Sequence, residues 1–147
     1  MINRFFAPLI LFCYLATSLQ AAEVILDGQT FTVPDGMTVE RVAGSPLVDR
    51  PIHADFDERG RLYVLDSSGS SARGPEQLEE KSHRIRQLTD TDNDGVFDKS
   101  TVYADKFMFP EGACWHDGSL YVAAPPEIWK LTDMDDDGIA DKREVWF

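Results

Sequence analysis

Two stretches of this chain repeat one another, and a repeated unit too short to bury a core alone restricts the fold more than any other feature. Ile85-Arg86-Gln87-Leu88-Thr89-Asp90-Thr91-Asp92-Asn93-Asp94-Gly95 returns 43 residues later as Ile128-Trp129-Lys130-Leu131-Thr132-Asp133-Met134-Asp135-Asp136-Asp137-Gly138. Upstream of each, Gly60-Arg61-Leu62-Tyr63-Val64 matches Gly118-Ser119-Leu120-Tyr121-Val122, 58 residues apart. The first unit thus holds about 15 extra residues. They fall in 67–82, a stretch rich in Ser, Gly and charge that reads as an inserted surface loop. Residues 75–81 within it have the composition for one or two helical turns.

Each unit reads as four short strands. β-branched and aromatic residues dominate, the sides alternate (Leu62/Val64 against Tyr63/Leu65), and glycines such as Gly60 and Gly118 mark the turns. The expected strands are 52–57, 61–66, 84–88 and 101–104, then 112–116, 119–123, 127–131 and 144–147. The fold class is therefore all-β. Four strands per unit at this period is the pattern of a β-propeller blade. Closure needs roughly four to eight blades, so two leave open edges and an unburied face. On that reading the chain is the amino-terminal part of a longer protein. A small β-sandwich, a swapped oligomer or a complete calcium-stabilised protein are the competing expectations. The expected division is 1–21 leader, 22–49 lead-in and 50–147 the first two blades.

The leader expectation rests on Met1–Arg4, which carry one positive charge, followed by an apolar run over 5–19 and small residues at Ala21-Ala22. This is the layout of a secretory signal cleaved after Ala21. The run is short for a membrane span, which takes about 20 residues; an uncleaved anchor is the alternative. The expected location is the periplasm or cell envelope, with membrane association only through this signal or through regions beyond the chain. Formal net charge is −12, and −13 once Arg4 leaves with the signal. Such a chain repels nucleic acid, so that class of partner is excluded. Cys114 is the only cysteine after the leader, so no internal disulfide, cysteine metal site or c-type haem site is available. Cys114 is expected as a buried small hydrophobe.

Each unit carries Asp-x-Asp-x-Asp-Gly-x-x-Asp: Asp90, Asp92, Asp94 and Asp98, then Asp133, Asp135, Asp137 and Asp141. Alternate carboxylates in a tight loop face one centre and repel unless a cation lies among them. Hard oxygen donors without imidazole or thiol favour Ca²⁺. The second loop offers Glu144 at its twelfth position, where the first has Thr101. The flanks are strand-like, so these are calcium loops in hairpins, not EF-hands. An acidic solvated turn without metal is the alternative.

No phosphate loop, nucleophile elbow or zinc motif is present. Arg50 and His53 lead into the first strand of unit one, and Glu111 into that of unit two. In a propeller these positions ring the axis, so Arg50, His53 and Glu111 are the candidate catalytic set. The alternative is a turn-bonding histidine and a solvated carboxylate. His83 and His116 are expected at the surface, and Tyr63, Tyr121, Trp115, Trp129 and Trp146 in core packing.

Residues 33–44 (VPDGMTVERVAG), 50–64 (RPIHADFDERGRLYV) and 108–113 (MFPEGA) resemble the planctomycete-type membrane-bound dehydrogenase family, which is similar to glucose/sorbosone dehydrogenases. The resemblance spans nearly all of the chain after the leader. It implies a periplasmic propeller of about six blades, often followed by helical repeats and a cytochrome c domain, that oxidises a sugar or alcohol, with quinone as a cofactor. His53 would then be a general base or ligand contact, and Arg50 and Glu111 would orient substrate. The alternative function is a non-catalytic envelope module that binds carbohydrate or a protein partner.

Overall fold

The computed structural model describes residues 21–147, so the expected leader 1–21 lies outside the described residues except for Ala21. These fall into two units, divided after Glu40. The first unit holds an antiparallel hairpin of β1 (Ala21–Leu26) and β2 (Gln29–Pro34). Its turn is Asp27-Gly28, both at positive φ (53° and 76°), the conformation a two-residue hairpin turn requires.

The second unit is two four-stranded antiparallel meanders. Sheet 1 runs β3 (Pro51–Phe56), β4 (Leu62–Asp66), β5 (His83–Thr89) and β6 (Lys99–Phe107). Sheet 2 runs β7 (Gly112–His116), β8 (Ser119–Ala124), β9 (Glu127–Thr132) and β10 (Lys142–Val145). All eight expected strands are present, with shifted ends. β6 is longer than expected. β10 starts earlier, and beyond it Trp146 donates its N–H to the Ile128 carbonyl at 2.7 Å. A helix, α1 (Gly74–Glu80), lies in the inserted stretch. Pro75 sits in its first turn, where no intrahelical N–H is needed, and Lys81 closes it in the left-handed region.

Sheets 1 and 2 share one core. Tyr63, Leu65, Ile85, Tyr103 and Phe107 from sheet 1 pack on Leu120, Val122, Ala124 and Leu131 from sheet 2. Removing each such side chain from water contributes roughly 1.5–3 kcal/mol. Tyr63 stacks on Trp115 (centroids 4.8 Å) and meets Tyr103 edge-on (4.9 Å). The opposite face of sheet 1 holds a second cluster of Leu62, Val64, Leu88 and Phe97, covered by Val48, Leu47 and Ala43. β4 is therefore buried on both sides, and all five of its residues are inaccessible. That is why its alternation does not separate an inner face from an outer one.

The direction of this packing matters. Leu120 and Val122 are the repeat counterparts of Leu62 and Val64, yet they point into the shared core whereas Leu62 and Val64 point away from it. Like faces are not opposed; one face of sheet 1 meets the opposite face of sheet 2. The loop contacts repeat in the same sense. Ala140 donates its N–H to the Tyr103 carbonyl at 2.8 Å, and its counterpart Phe97 donates to the Val42 carbonyl at 2.8 Å. The backbone at Val42 stands to sheet 1 as β6 stands to sheet 2.

The expected lead-in 22–49 holds the β1–β2 hairpin from Ala22 onward and the covering segment 43–48. Three expectations need correction. His83 is 1 % exposed, not at the surface, because α1 and the inserted stretch fold over it. Cys114 is exposed, because it lies on the face of sheet 2 turned away from sheet 1. Trp146 is also exposed; its ring meets Tyr121 edge-on on that same face (5.3 Å).

Asp66, at the end of β4, is fully buried. It accepts the backbone N–H groups of Asp49 (3.2 Å) and Arg50 (2.8 Å) and pairs with Arg84 (3.0 Å) and Arg86 (2.8 Å). Burial alone would raise its pKa; the donors from Arg50, Arg86, Arg84 and Asp49 outweigh that and lower it. The stability it contributes is thus present above its ordinary value of 3.8 and is lost as pH falls below it. Asp66→Ala is expected to cost about 3 kcal/mol in chemical denaturation, because two half-buried guanidinium groups and two backbone N–H groups lose a buried acceptor. The acid-induced loss of stability in the wild type should shrink in that variant.

Candidate functional site

The two Asp-rich loops follow β5 and β9, and each is organised by its first aspartate. Asp90 accepts backbone N–H groups from Asn93 (2.7 Å) and Gly95 (2.9 Å); Asp133 accepts those of Asp136 (2.7 Å) and Gly138 (2.9 Å). The turn takes positive φ at Asn93 and Gly95, and at Asp136 and Gly138, which glycine, asparagine and aspartate tolerate. The last aspartate closes each loop: Asp98 accepts from the Thr91 N–H, and Asp141 from the Met134 N–H.

This framework gathers carboxylate oxygens of Asp90, Asp92 and Asp94 within 4.8 Å of one another, and likewise those of Asp133, Asp135 and Asp141. The other expected ligands, Asp98, Asp137 and Glu144, are outside these two groups of three. Asp98 is bonded to Thr91, Asp137 caps the Ile139 N–H (2.8 Å), and Glu144 lies in β10 paired with Lys142 (2.9 Å). The crowding has an electrostatic signature. The neighbouring charge of Asp94 raises the pKa of Asp92, and those of Asp137 and Asp141 raise that of Asp135. Asp90 is lowered, chiefly by the Gly95 N–H it accepts. Three hard oxygens around one point, two groups repelled by like charge, can accommodate a divalent cation.

The loops differ in one residue that sequence inspection did not single out. Asn93 of the first loop is replaced by Asp136 in the second. Asp136 turns away from its cluster to pair with Arg61 (2.6 Å) and Arg59 (2.5 Å), on the β3–β4 turn of sheet 1. These two hydrogen bonds hold its pKa low. Burial would lower the pKa of Arg61, but its bonds to Asp57 and Asp136 raise it. Gly138 lies so close to sheet 1 that a Cβ there would sit 2.9 Å from the Gln87 side chain. The only sequence signal was an acid outside the alternating pattern, facing two arginines after β3.

The candidate catalytic residues lie at the neighbouring first strands β3 and β7. The Ala113 carbonyl accepts a hydrogen bond from His53 Nε2 at 2.9 Å, which places the proton on Nε2 and leaves Nδ1 as an acceptor. Asp55, two residues on, accepts the Trp115 N–H at 2.7 Å. Together they satisfy an edge of β7 that no strand pairs. Arg50 is set by the Asp66 carboxylate at its N–H and lies against Gly69 of the inserted stretch. Glu111 is exposed and borders a cavity of about 290 Å³ with Ala123, Pro125, Ile128 and Phe147, but with neither Arg50 nor His53. The structure brings His53 to sheet 2; no cavity described here gathers all three.

Removing the repulsion among the loop carboxylates has a definite sign. Asp92 and Asp135 have pKa values above their ordinary 3.8, so without metal their contribution to stability is full below that value and is lost as pH rises through the shifted one. Asp92→Asn with Asp135→Asn should raise Tm in EDTA at pH 7 relative to wild type, and flatten its decline as pH rises above about 4. Equal melting curves would show that the carboxylates do not repel in solution.

None of the described helices is long and apolar enough to cross a membrane. Neither the curated proteins nor the solved structures contain a match to the chain. A family model does match, over residues 26–147, and so covers the hairpin turn, both sheets and both Asp-rich loops. The chain belongs to the family described as a domain of unknown function, DUF7133.

Proposed function

We propose that the chain forms two successive blades of an exported, calcium-braced β-propeller that oxidises a sugar or alcohol near its axis. The observation that carries this is the packing of one face of sheet 1 on the opposite face of sheet 2, with the loop bond of Ala140 to Tyr103 matched by that of Phe97 to Val42. A relation of this kind can be repeated around an axis, whereas a sandwich of two sheets opposes like faces. The resemblance to the dehydrogenase family supplies the activity, and the apolar amino terminus supplies the export.

In this reading Ca²⁺ is held by Asp90, Asp92 and Asp94 in the first loop and by Asp133, Asp135 and Asp141 in the second. The donor sets fit, being hard, anionic and close together. The metal is structural: it neutralises the loops that connect the third and fourth strands. His53 is the candidate base. Its Nε2–H is committed to the Ala113 carbonyl, so in the neutral ring Nδ1 takes the proton from a substrate hydroxyl. The substrate-orienting roles of Arg50 and Glu111 rest on the family resemblance, since the cavity at Glu111 is lined by neither Arg50 nor His53. The quinone that the resemblance implies would supply the two-electron acceptor the oxidation requires. The cavity at Glu111, with no cationic or imidazole side chain in its lining, offers it no cationic anchor, and no step is routed through it. The alternative, a propeller that binds carbohydrate or a protein partner without catalysis, is favoured by the use of His53 and Asp55 as edge-satisfying groups.

Two measurements test the proposal. Saturating Ca²⁺ should raise Tm by several degrees over EDTA, and Asp92→Asn with Asp135→Asn should abolish that rise. A dye-linked oxidation assay over a sugar and alcohol panel should then show turnover that falls about 10²-fold or more in His53→Ala. No turnover across the panel in the wild type would sink the enzyme reading and leave the binding module.

A further inference from the structure

The inserted stretch 67–82 folds over one buried imidazole that bonds to it at two points. His83, at the start of β5, is 1 % exposed. The Ser68 N–H donates to its Nδ1 at 3.1 Å, and its Nε2 donates to the Gln77 Oε1 at 3.3 Å. Gln77 in turn donates from Nε2 to the Ala72 carbonyl at 2.8 Å. The chain of bonds fixes the histidine as the neutral Nε2–H form, because a backbone N–H cannot donate to a protonated Nδ1. Phe109 closes the other side edge-on, with centroids 5.4 Å apart. Ser68 to Ser82 at 2.8 Å and Ser70 to Glu80 at 3.1 Å brace the stretch internally, and the Ser67 N–H donates to the Arg50 carbonyl at 2.9 Å where it leaves β4.

We infer that His83 is a pH-sensitive latch, which keeps the inserted stretch 67–82 on the sheets while its imidazole is neutral and releases it on protonation. Protonation removes the Ser68 bond and places a charge where water cannot reach it. The charged groups around the site do not rescue it. From α1, Glu80 favours the imidazolium, but burial outweighs it and lowers the pKa below the ordinary 6.5. Lys81, Lys106 and Glu127 border the crevice next to Phe107, the strand partner of His83. On β4, Asp66 is already engaged by Arg84 and Arg86. The closed state therefore binds the proton less tightly than the open one. Closure is complete above about pH 6.5 and weakens as pH falls below it. Release has a local consequence: Arg50, whose guanidinium lies against Gly69 and whose carbonyl accepts the Ser67 N–H at 2.9 Å, loses its cover from the stretch.

Hydrogen exchange of the intact protein, read by mass spectrometry on peptides from 67–82 and from β8, tests this. After correction for the intrinsic rate, protection of 67–82 should fall at least about tenfold between about pH 7.5 and pH 5, while β8 stays unchanged. In His83→Gln, whose amide does not titrate, protection of 67–82 should be the same at both values, whether high or low. Unchanged wild-type protection, an equal loss in β8, or a pH response that persists in His83→Gln would each overturn the latch. The last outcome would assign the response to Glu80 and its serine partner.

Discussion

The contact between sheets 1 and 2 is the constraint on which the rest of the second unit depends. Sheet 2 takes part in the shared cluster alone, whereas sheet 1 has a second one under residues 43–48; an apolar sheet face must be covered. The contact is fastened at three levels. At the first strands, His53 and Asp55 satisfy the carbonyl and N–H groups of the unpaired β7 edge. In the middle, Tyr63 is inaccessible and stacked on Trp115. At the outer strands, the Leu131 carbonyl accepts the Tyr103 hydroxyl, and Arg143 lies over the Phe107 ring at 4.6 Å. Burial pushes the Tyr63 phenol up to about 12, so it stays a hydrogen-bonding neutral group throughout the physiological range.

This arrangement explains why the polar residues most suggestive of chemistry are also structural. An edge strand facing another sheet must have its backbone groups satisfied, and only β3 side chains reach that edge of β7. His53 therefore has one nitrogen given to architecture and one available. A catalytic role and a structural role are not rivals here, because the bond at Nε2 orients the ring and fixes the proton that a base at Nδ1 requires.

Much of the fold was legible in the sequence because its signals are local. Alternation over Leu62–Leu65, the turn glycines and the twice-repeated Ile-x-x-Leu-Thr-Asp run locate eight strands, and the alternating aspartates locate both loops. The β1–β2 hairpin was legible as well, from Asp27-Gly28 between apolar runs, but the repeat drew attention away from it. Other features were not local. The burial of His83 depends on an insertion that folds back across the sheet, and a sequence rich in serine and charge gives no sign of that. The exposure of Cys114 depends on which face of β7 meets sheet 1, and a period of two cannot decide between faces. The carboxylate clusters were half legible: spacing found the acids, but which of them converge is set by the backbone N–H groups that Asp90 and Asp133 collect.

The two loops also show how a repeat acquires distinct parts. Both have the same turn, the same leading aspartate and the same crowding of like charge. Only the second is tied to the other sheet, since Asp136 reaches Arg59 and Arg61 where Asn93 carries no charge to do so. Its Gly138 is buried against Gln87, and its Ala140 is bonded to β6. Whatever rigidifies the second loop therefore acts on both sheets at once, whereas the first loop is tied, through Phe97, only to the covering segment at Val42. The charge that distinguishes Asp136 from Asn93 places the coupling between loop order and sheet packing in the second loop. It does so through an acid that leaves the cluster rather than joining it.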